Sequence, residues 1–524
     1  MKKRVDSNKN FTGKNTLLII FVVLAVLICY GKHALSTNVG VDTEQYILGA
    51  YGKDWVIQGL GRFGYYYSIM LLNLGHYNPY MNGVAFLITY SLAIISWCYV
   101  FYLISGKMGA KQYILFATVF LTNPLWATHF YFSLQQSAIA LGLLCQAFSF
   151  LLLFDLLIYG EKNTKVQNGI ELVFSILLAL YAIGTYQSFA GLHLSEAAAC
   201  LLLLFEKLIT EDSSVNSHKI FWKKFFIVVM HFFISYGLYT ALCKVMNWGT
   251  SDYLQLKWGK KPASEILWNL CRDFKNILIG GDVYAGYAVL VSCVILLLLV
   301  IRMLASHQNI WIKLDYIFLI VGNIVCMIAL NIVIGEIPVD RARLPVAFGT
   351  AFLGMYALSR AWDIKRNTCL HYCLVISACL VMILSVGEQL SRSQTLFYTE
   401  DVCNMQEYEV GAEIVRDIKQ LGGDSQTSIV FVGKWSAPLN PSCRIQRPIG
   451  VSSFEWDYKK KDPANVSRRA GWYLNAAFGT NYNVVFDKEV RKKAVDLAKQ
   501  MPCYPMNGYI QKMDNVVVVK LGDF

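Results

Sequence analysis

The sequence predicts an all-α polytopic membrane protein of about eleven transmembrane helices, followed by a small C-terminal α/β domain. Three observations lead there. Of 524 residues, 56 % are hydrophobic and only 16 % charged, with a mean hydropathy of +0.43, whereas soluble domains carry nearer a quarter charged residues. Stretches such as 17–29, 289–300 and 317–334 are almost free of charge and approach the thickness of a bilayer. The net charge of +12 is spread along the chain rather than gathered into one patch, which argues against a nucleic-acid partner.

In chain order, apolar runs place spans at 16–31, 83–105, 112–128, 136–158, 169–186, 189–208, 225–246, 285–303, 314–334, 345–359 and 369–387. Lys2, Lys3, Arg4, Lys9 and Lys14 precede the first run without a small-residue cleavage site after it, so it reads as an uncleaved first helix. Eighteen Lys and Arg residues fall on the N-terminal side of the membrane: these five, then Lys107, Lys111, Lys162, Lys165, Lys207, Lys219, Lys223, Lys224, Arg302, Lys313, Arg360, Lys365 and Arg366. The short opposite loops carry only Arg341 and Arg343. The positive-inside rule then makes the N-terminus cytoplasmic and the C-terminus external.

Residues 1–401 are thus expected to form the transmembrane module, with external loops at 32–82 and 247–284, and 402–524 an external domain. In that tail, 406–421 and 465–478 have helical spacing, and 428–432 and 515–520 are β-branched runs expected as strands. The fourteen cysteines are scattered, mostly within apolar runs and without metal-ligand spacing. A Cys443–Cys503 bridge is chemically open in an external tail.

The first external loop carries the most informative residues. Asp42 and Glu44 lie a few positions past the first span, and either can act as a general base towards a sugar hydroxyl. Spaced by two, they diverge on a helix and share a face in an extended segment. Loop carboxylates are also ordinarily just solvated. Two carboxylates without a histidine form a hard-ion pattern, so a divalent metal stays open as a cofactor. Asp-x-Asp is absent, and Glu455-Trp-Asp457 is its nearest approach. Ile47, Leu48, Tyr51 and Trp55 share one helical face, which predicts an amphipathic helix on the outer leaflet.

Arg62, Arg341 and Arg343 sit beside Gly or Pro turns at headgroup depth, where a planar guanidinium can grip phosphate. Contact with membrane lipids is the competing use. Tyr186 and Gln187 cross the outer turn between the fifth and sixth spans. His193 and Glu196, three apart, face the same side of the sixth, as a cleft wall, a structural pair or a proton relay. Asn323 and Asn331 suit interhelical hydrogen bonds.

Together, Val41-Asp-Thr-Glu44, Trp55 with Gly61-Arg-Phe-Gly64, Asn123-Pro124, Thr185-Tyr-Gln-Ser188 and Tyr504-Pro-Met-Asn-Gly-Tyr-Ile510 resemble the serotype-converting GtrII-type glucosyltransferases of the GT-C superfamily. The resemblance lies in the order and spacing of these motifs over most of the chain. It implies an enzyme of the bacterial plasma membrane that moves a sugar, glucose or another hexose, from a polyprenyl phosphate to a surface polysaccharide such as an O-antigen or wall glycan. It also implies that a first-loop acid, Asp42 with Glu44 as competitor, serves as base. A polysaccharide polymerase or ligase is one alternative, and a lipid-linked sugar flippase is another. A flippase would gather charge along the bundle interior, where only His193, Glu196 and His231 occur.

Overall fold

The computed structural model describes residues 11, 13–106, 108–211, 215–250, 257–364, 369–424 and 426–524. Lys2, Lys3, Arg4, Lys9, Lys107, Lys365 and Arg366, which weigh in the charge asymmetry, lie outside the described residues.

Helix α1 is Thr16–Ala34, and α2, Thr43–Ile47, begins the first loop. A π-helical turn, Asp54–Gly59, precedes α3, Phe63–Leu72. The bundle continues with α4 (Pro79–Ser105), α5 (Ala110–Thr122), α6 (Pro124–Phe130), α7 (Gln136–Tyr159), α8 (Lys165–Thr185), α9 (Ser188–Glu211) and α10 (Val215–Val245). After it come α11 (Ala263–Ile279), α12 (Ala288–Leu304), α13 (Ile310–Met327), α14 (Ala329–Ile334), α15 (Leu344–Trp362) and the long α16 (Cys369–Gln420). Helix therefore lies along each of the predicted apolar stretches. Among the described residues, eight of these helices are long and apolar enough to cross a membrane, and α12 is a shorter apolar helix.

One break has a local cause. Pro124 has no N–H to donate and holds Asn123 extended, so the stretch predicted at 112–128 divides into α5 and α6. The Asn123 side chain accepts from the Leu125 N–H and caps the second piece. The stretch predicted at 314–334 divides at Ile328.

Burial separates the helices into two kinds. In α1, Leu18, Val22 and Val26 face inward at helical spacing, while Leu17, Leu24 and Ile28 face outward, as a lipid-facing helix should. Helices α9 and α15 are buried almost all round. On α9 the Ala198 carbonyl accepts from Asn323 of α13 at 3.0 Å, a hydrogen bond between helices. Close backbone approach fixes the entry of α4. A Cβ on Gly83 would lie 1.9 Å from the Ala34 carbonyl oxygen. Gly83→Ala should therefore cost at least about 1–3 kcal/mol. Gly322→Ala on α13, where nothing lies within 4 Å, should be neutral or slightly stabilising. Thermal unfolding of the two purified variants measures the difference.

The single amphipathic helix expected through 47–55 does not form. Helix α2 ends at Ile47, Gly49 takes the left-handed φ of 67°, and the chain restarts at Asp54. Tyr51 turns inward, its hydroxyl 3.0 Å from that of Tyr65. The strongly amphipathic element of the loops is α11 instead, which buries Ile266, Leu270 and Ile277 and exposes Leu267 and Trp268.

Beyond Gln420 the chain forms strands β1 (Ser428–Val432), β2 (Asn483–Val484), β3 (Ile510–Met513) and β4 (Val516–Lys520), in the order β2-β1-β4-β3. β1 pairs parallel with β2 and β4, and β3 pairs antiparallel with β4. Ile429, Phe431, Val517 and Val519 point to one face, against Ser467–Phe478 (α17) and the end of α16. Val430, Val432 and Val518 point to the other, against Lys488–Ala498 (α18). Helix α16 runs unbroken through residues 401 and 402, joining bundle and sheet. All fourteen cysteines are free. The Cys503 thiol lies 3.2 Å from Asp523 and the Cys443 thiol 3.6 Å from Asn440, so the bridge considered between them is not formed.

Candidate active site

The first loop is pinned from two sides. Thr43 Oγ1 lies 3.2 Å from Ser133 Oγ. From the opposite side α17 delivers Arg469, whose Nη1 is paired with Glu44 and lies 3.5 Å from Asp42 Oδ1. Glu44 is enclosed, with a side chain 2 % exposed, whereas the Asp42 side chain keeps 28 % of its surface. Asp42 has a φ of 71° at the N-cap of α2. The two carboxylates thus share one arginine, and of the two Asp42 has the greater access.

Burial raises the Glu44 carboxyl to about 7, with Arg469 opposing the rise. Two further glutamates sit under the same junction on α16, well past the predicted span at 369–387. Burial raises Glu407 to about 7 and Glu400 to about 8. Each binds its proton more tightly folded than unfolded. Stability from these groups is therefore complete below the ordinary glutamate value and lost as pH rises through about 7 to 8. The unfolding temperature should fall between about pH 5.5 and about pH 8.5, and Glu407→Gln should flatten that fall.

Arg62 stands at the start of α3. Its Nε donates to Gln187 Oε1 at 3.2 Å and its guanidinium lies 4.3 Å over the Tyr186 ring. Gln187 in turn donates to the Leu60 carbonyl and, at 3.1 Å, to the Tyr239 hydroxyl. This holds the turn between α8 and α9 against the first loop. Arg62, Gln187 and Lys257 line a cavity of about 340 Å³ together with the apolar Leu330, Ile334 and Val339. Glu336 also lines it, 3.7 Å from the Lys257 ammonium and 3.0 Å from that of Lys261. A second cavity of about 360 Å³ shares Arg62 and Gln187 with the first.

Aromatic contacts connect these cations. Tyr186 meets the His129 ring edge-on at 5.0 Å. His129 Nδ1 donates to the Arg341 carbonyl at 2.9 Å, and the Arg341 guanidinium lies 5.0 Å over Phe132. The Tyr51–Tyr65 pair lies between acid and cation. Burial pushes both phenols up; Asp42 adds to the rise and Arg62 opposes it.

The other expected site residues lie elsewhere. Arg343 is buried, 3.2 Å from Asp273, 3.3 Å from Asp340 and 2.9 Å from the Tyr284 hydroxyl, and its Nε donates to the Pro338 carbonyl. It braces the 335–344 loop against α11, and its donors are spent on protein. Trp55 is exposed and folds over Gly59, outside both cavities. His193 and Glu196 are fully buried in the bundle interior. There His193 Nδ1 lies 2.6 Å from Gln146 Nε2, and its ring stacks on His231 at 5.3 Å. They line neither cavity. Among the described residues no three His, Cys, Asp or Glu side chains gather as metal ligands. Glu455 and Asp457 are paired with Lys434 and Arg468.

Sequence reasoning missed Arg469 and His129. A signal for Arg469 existed: it stands within the apolar stripe of Val466, Ala470, Tyr473 and Leu474, where a charge needs a buried partner. Nothing in the sequence singled out His129.

Fold and site define a polytopic helical protein whose loops assemble carboxylate, guanidinium and aromatic groups at one end of the bundle. Residues 34–358 match the family model of the glucosyl transferase GtrII, and the chain belongs to that family of glycosyltransferases. The match includes Asp42, Glu44, Arg62, Arg341 and both cavities' lining residues, and ends before α16. No curated protein matches the chain.

Proposed function

We propose that the protein transfers glucose or a related hexose from a polyprenyl phosphate to a cell-surface polysaccharide, at the outer face of a bacterial plasma membrane. The observation that carries this reading is the cavity whose lining combines the cations Arg62 and Lys257 with the aliphatic Leu330, Ile334 and Val339. An amphipathic donor, a phosphate on a long apolar chain, complements a lining of that mixed kind. Asp42 takes the proton from the acceptor hydroxyl. The oxygen attacks the sugar's anomeric carbon, the bond from that carbon to the phosphate oxygen breaks, and the electron pair leaves with the polyprenyl phosphate. Arg62 and Lys257, which line the cavity, stabilise the charge that develops there. Glu44 pairs with Arg469, which pins the first loop to α17.

The donor assignment is tested with Arg62→Lys, which keeps the charge but loses the Nε donor and the planar fork. One charge-assisted hydrogen bond lost should lower kcat/KM for the lipid donor by about 10- to 100-fold, chiefly through KM. An unchanged value would move the phosphate to another site, with Lys257, Lys260 and Lys261 the next cations to test.

The reading also requires eleven spans, residues 1–401 as the membrane module and 402–524 outside. In a cysteine-free variant, an impermeant thiol reagent added to intact cells should label Gln420→Cys and spare His307→Cys. The reverse pattern would overturn the orientation.

A further inference from the structure

The largest of the cavities described lies far from the candidate active site. It measures about 560 Å³ and is lined by Lys207, Thr210, Glu211, Arg302, Ser306 and Arg360. Cavity residues Gln187 and Ser188 sit at the start of α9, and Lys207, Thr210 and Glu211 at its end. A 24-residue helix separates the two by roughly 30 Å at 1.5 Å per residue. This cavity therefore opens at the other end of the bundle.

Its chemistry is ionic with a fixed centre. Arg360 pairs with Glu206 and with Asp363 at 3.2 Å, and Glu206 also accepts from the Tyr356 hydroxyl at 2.6 Å. Two of the three lining carboxylates are thereby spent on one guanidinium, whose Nε remains buried without a hydrogen-bond partner. The lining then keeps two cations, Lys207 and Arg302, and one carboxylate, Glu211, on which Lys207 and, from outside the cavity, Lys224 both act. Arg302 is exposed and, among the described residues, enters no ion pair. It ends α12, whose Leu297, Leu298 and Ile301 are exposed as a lipid-facing surface would be.

We propose that this cavity binds the headgroup of a zwitterionic phospholipid such as phosphatidylethanolamine. The phosphate diester lies against Arg302 and Lys207, the amine against Glu211, and the acyl chains along the exposed leucines of α12. Basic pockets between membrane helices at the bilayer edge are well suited to lipid phosphates. The residual carboxylate selects a headgroup that also carries a positive charge.

The test is native mass spectrometry of the purified full-length protein in neutral detergent, with phosphatidylethanolamine, phosphatidylglycerol or inorganic phosphate added at equal concentration. Wild type should retain one phosphatidylethanolamine in preference to phosphatidylglycerol. The double variant Lys207→Gln, Arg302→Gln should retain it at least about tenfold less, as expected for loss of a charge-assisted hydrogen bond. Glu211→Gln should bind both lipids alike. Equal retention by wild type and double variant would overturn the site. Binding of inorganic phosphate as tight as that of the lipid would overturn the lipid assignment. The thermal unfolding of each lipid-free variant, unchanged from wild type, separates loss of lipid from loss of fold.

Discussion

Asp42→Asn should lower the rate of sugar transfer by about a hundred- to ten-thousand-fold, the usual cost of losing a general base. The amide is nearly isosteric and can still accept from Gln45 Nε2, 3.5 Å away in the wild type, so expression and unfolding temperature should stay close to wild type. KM for the lipid donor should hold, because neither cavity that contains Arg62 is lined by Asp42. Glu44→Gln should behave differently. That side chain is enclosed and bound to Arg469, so its loss should lower stability first and activity as a consequence. Should Glu44→Gln fold normally and lose transfer while Asp42→Asn remains active, the roles of the two carboxylates are reversed.

Arg469→Ala should be the most destabilising single change at the site. Breaking a buried ion pair by removing one partner costs about 3–5 kcal/mol. Here the orphaned partner is Glu44, which Asp42 also pushes up. Glu44 already titrates near 7 with its arginine present, so without it the carboxyl should stay protonated to higher pH. The loss in stability should therefore be larger at about pH 8.5 than at about pH 5.5, where a neutral Glu44 needs no counter-charge. Hydrogen exchange of the first loop and of α17 should rise together in this variant. Arg469→Lys should recover part of the stability, since a charge without the fork still pairs with one carboxylate. Wild-type stability in Arg469→Ala at both pH values would show that the sheet-bearing tail does not hold the loop.

The helical stretches were legible because hydropathy reports the solvent a helix meets, and it does so even for α9 and α15, which meet only protein. The gripping role of Gln187 was partly legible, since Tyr186 and Gln187 stand in a turn rich in polar groups, and the structure brings them to Arg62. Arg343 shows where such reading stops. Its neighbours in sequence resemble those of Arg341, but Asp273, from a helix seventy residues earlier, consumes its donors. The 47–55 helix failed for a local reason, the left-handed Gly49, which apolar spacing does not register. His193 and Glu196 were correctly placed on one helix face, but that face looks into the bundle. Arg469 lies 425 positions from Glu44, and only tertiary structure makes the two neighbours.

The identity of the donor decides the proposed reaction most directly. Purified protein in bilayer discs should be given radiolabelled glucose on a polyprenyl phosphate, or the same glucose on a nucleotide diphosphate, each with the acceptor glycan. Label should reach the glycan from the lipid donor alone, and that transfer should disappear in Asp42→Asn. Transfer from the nucleotide sugar without any lipid donor would contradict it.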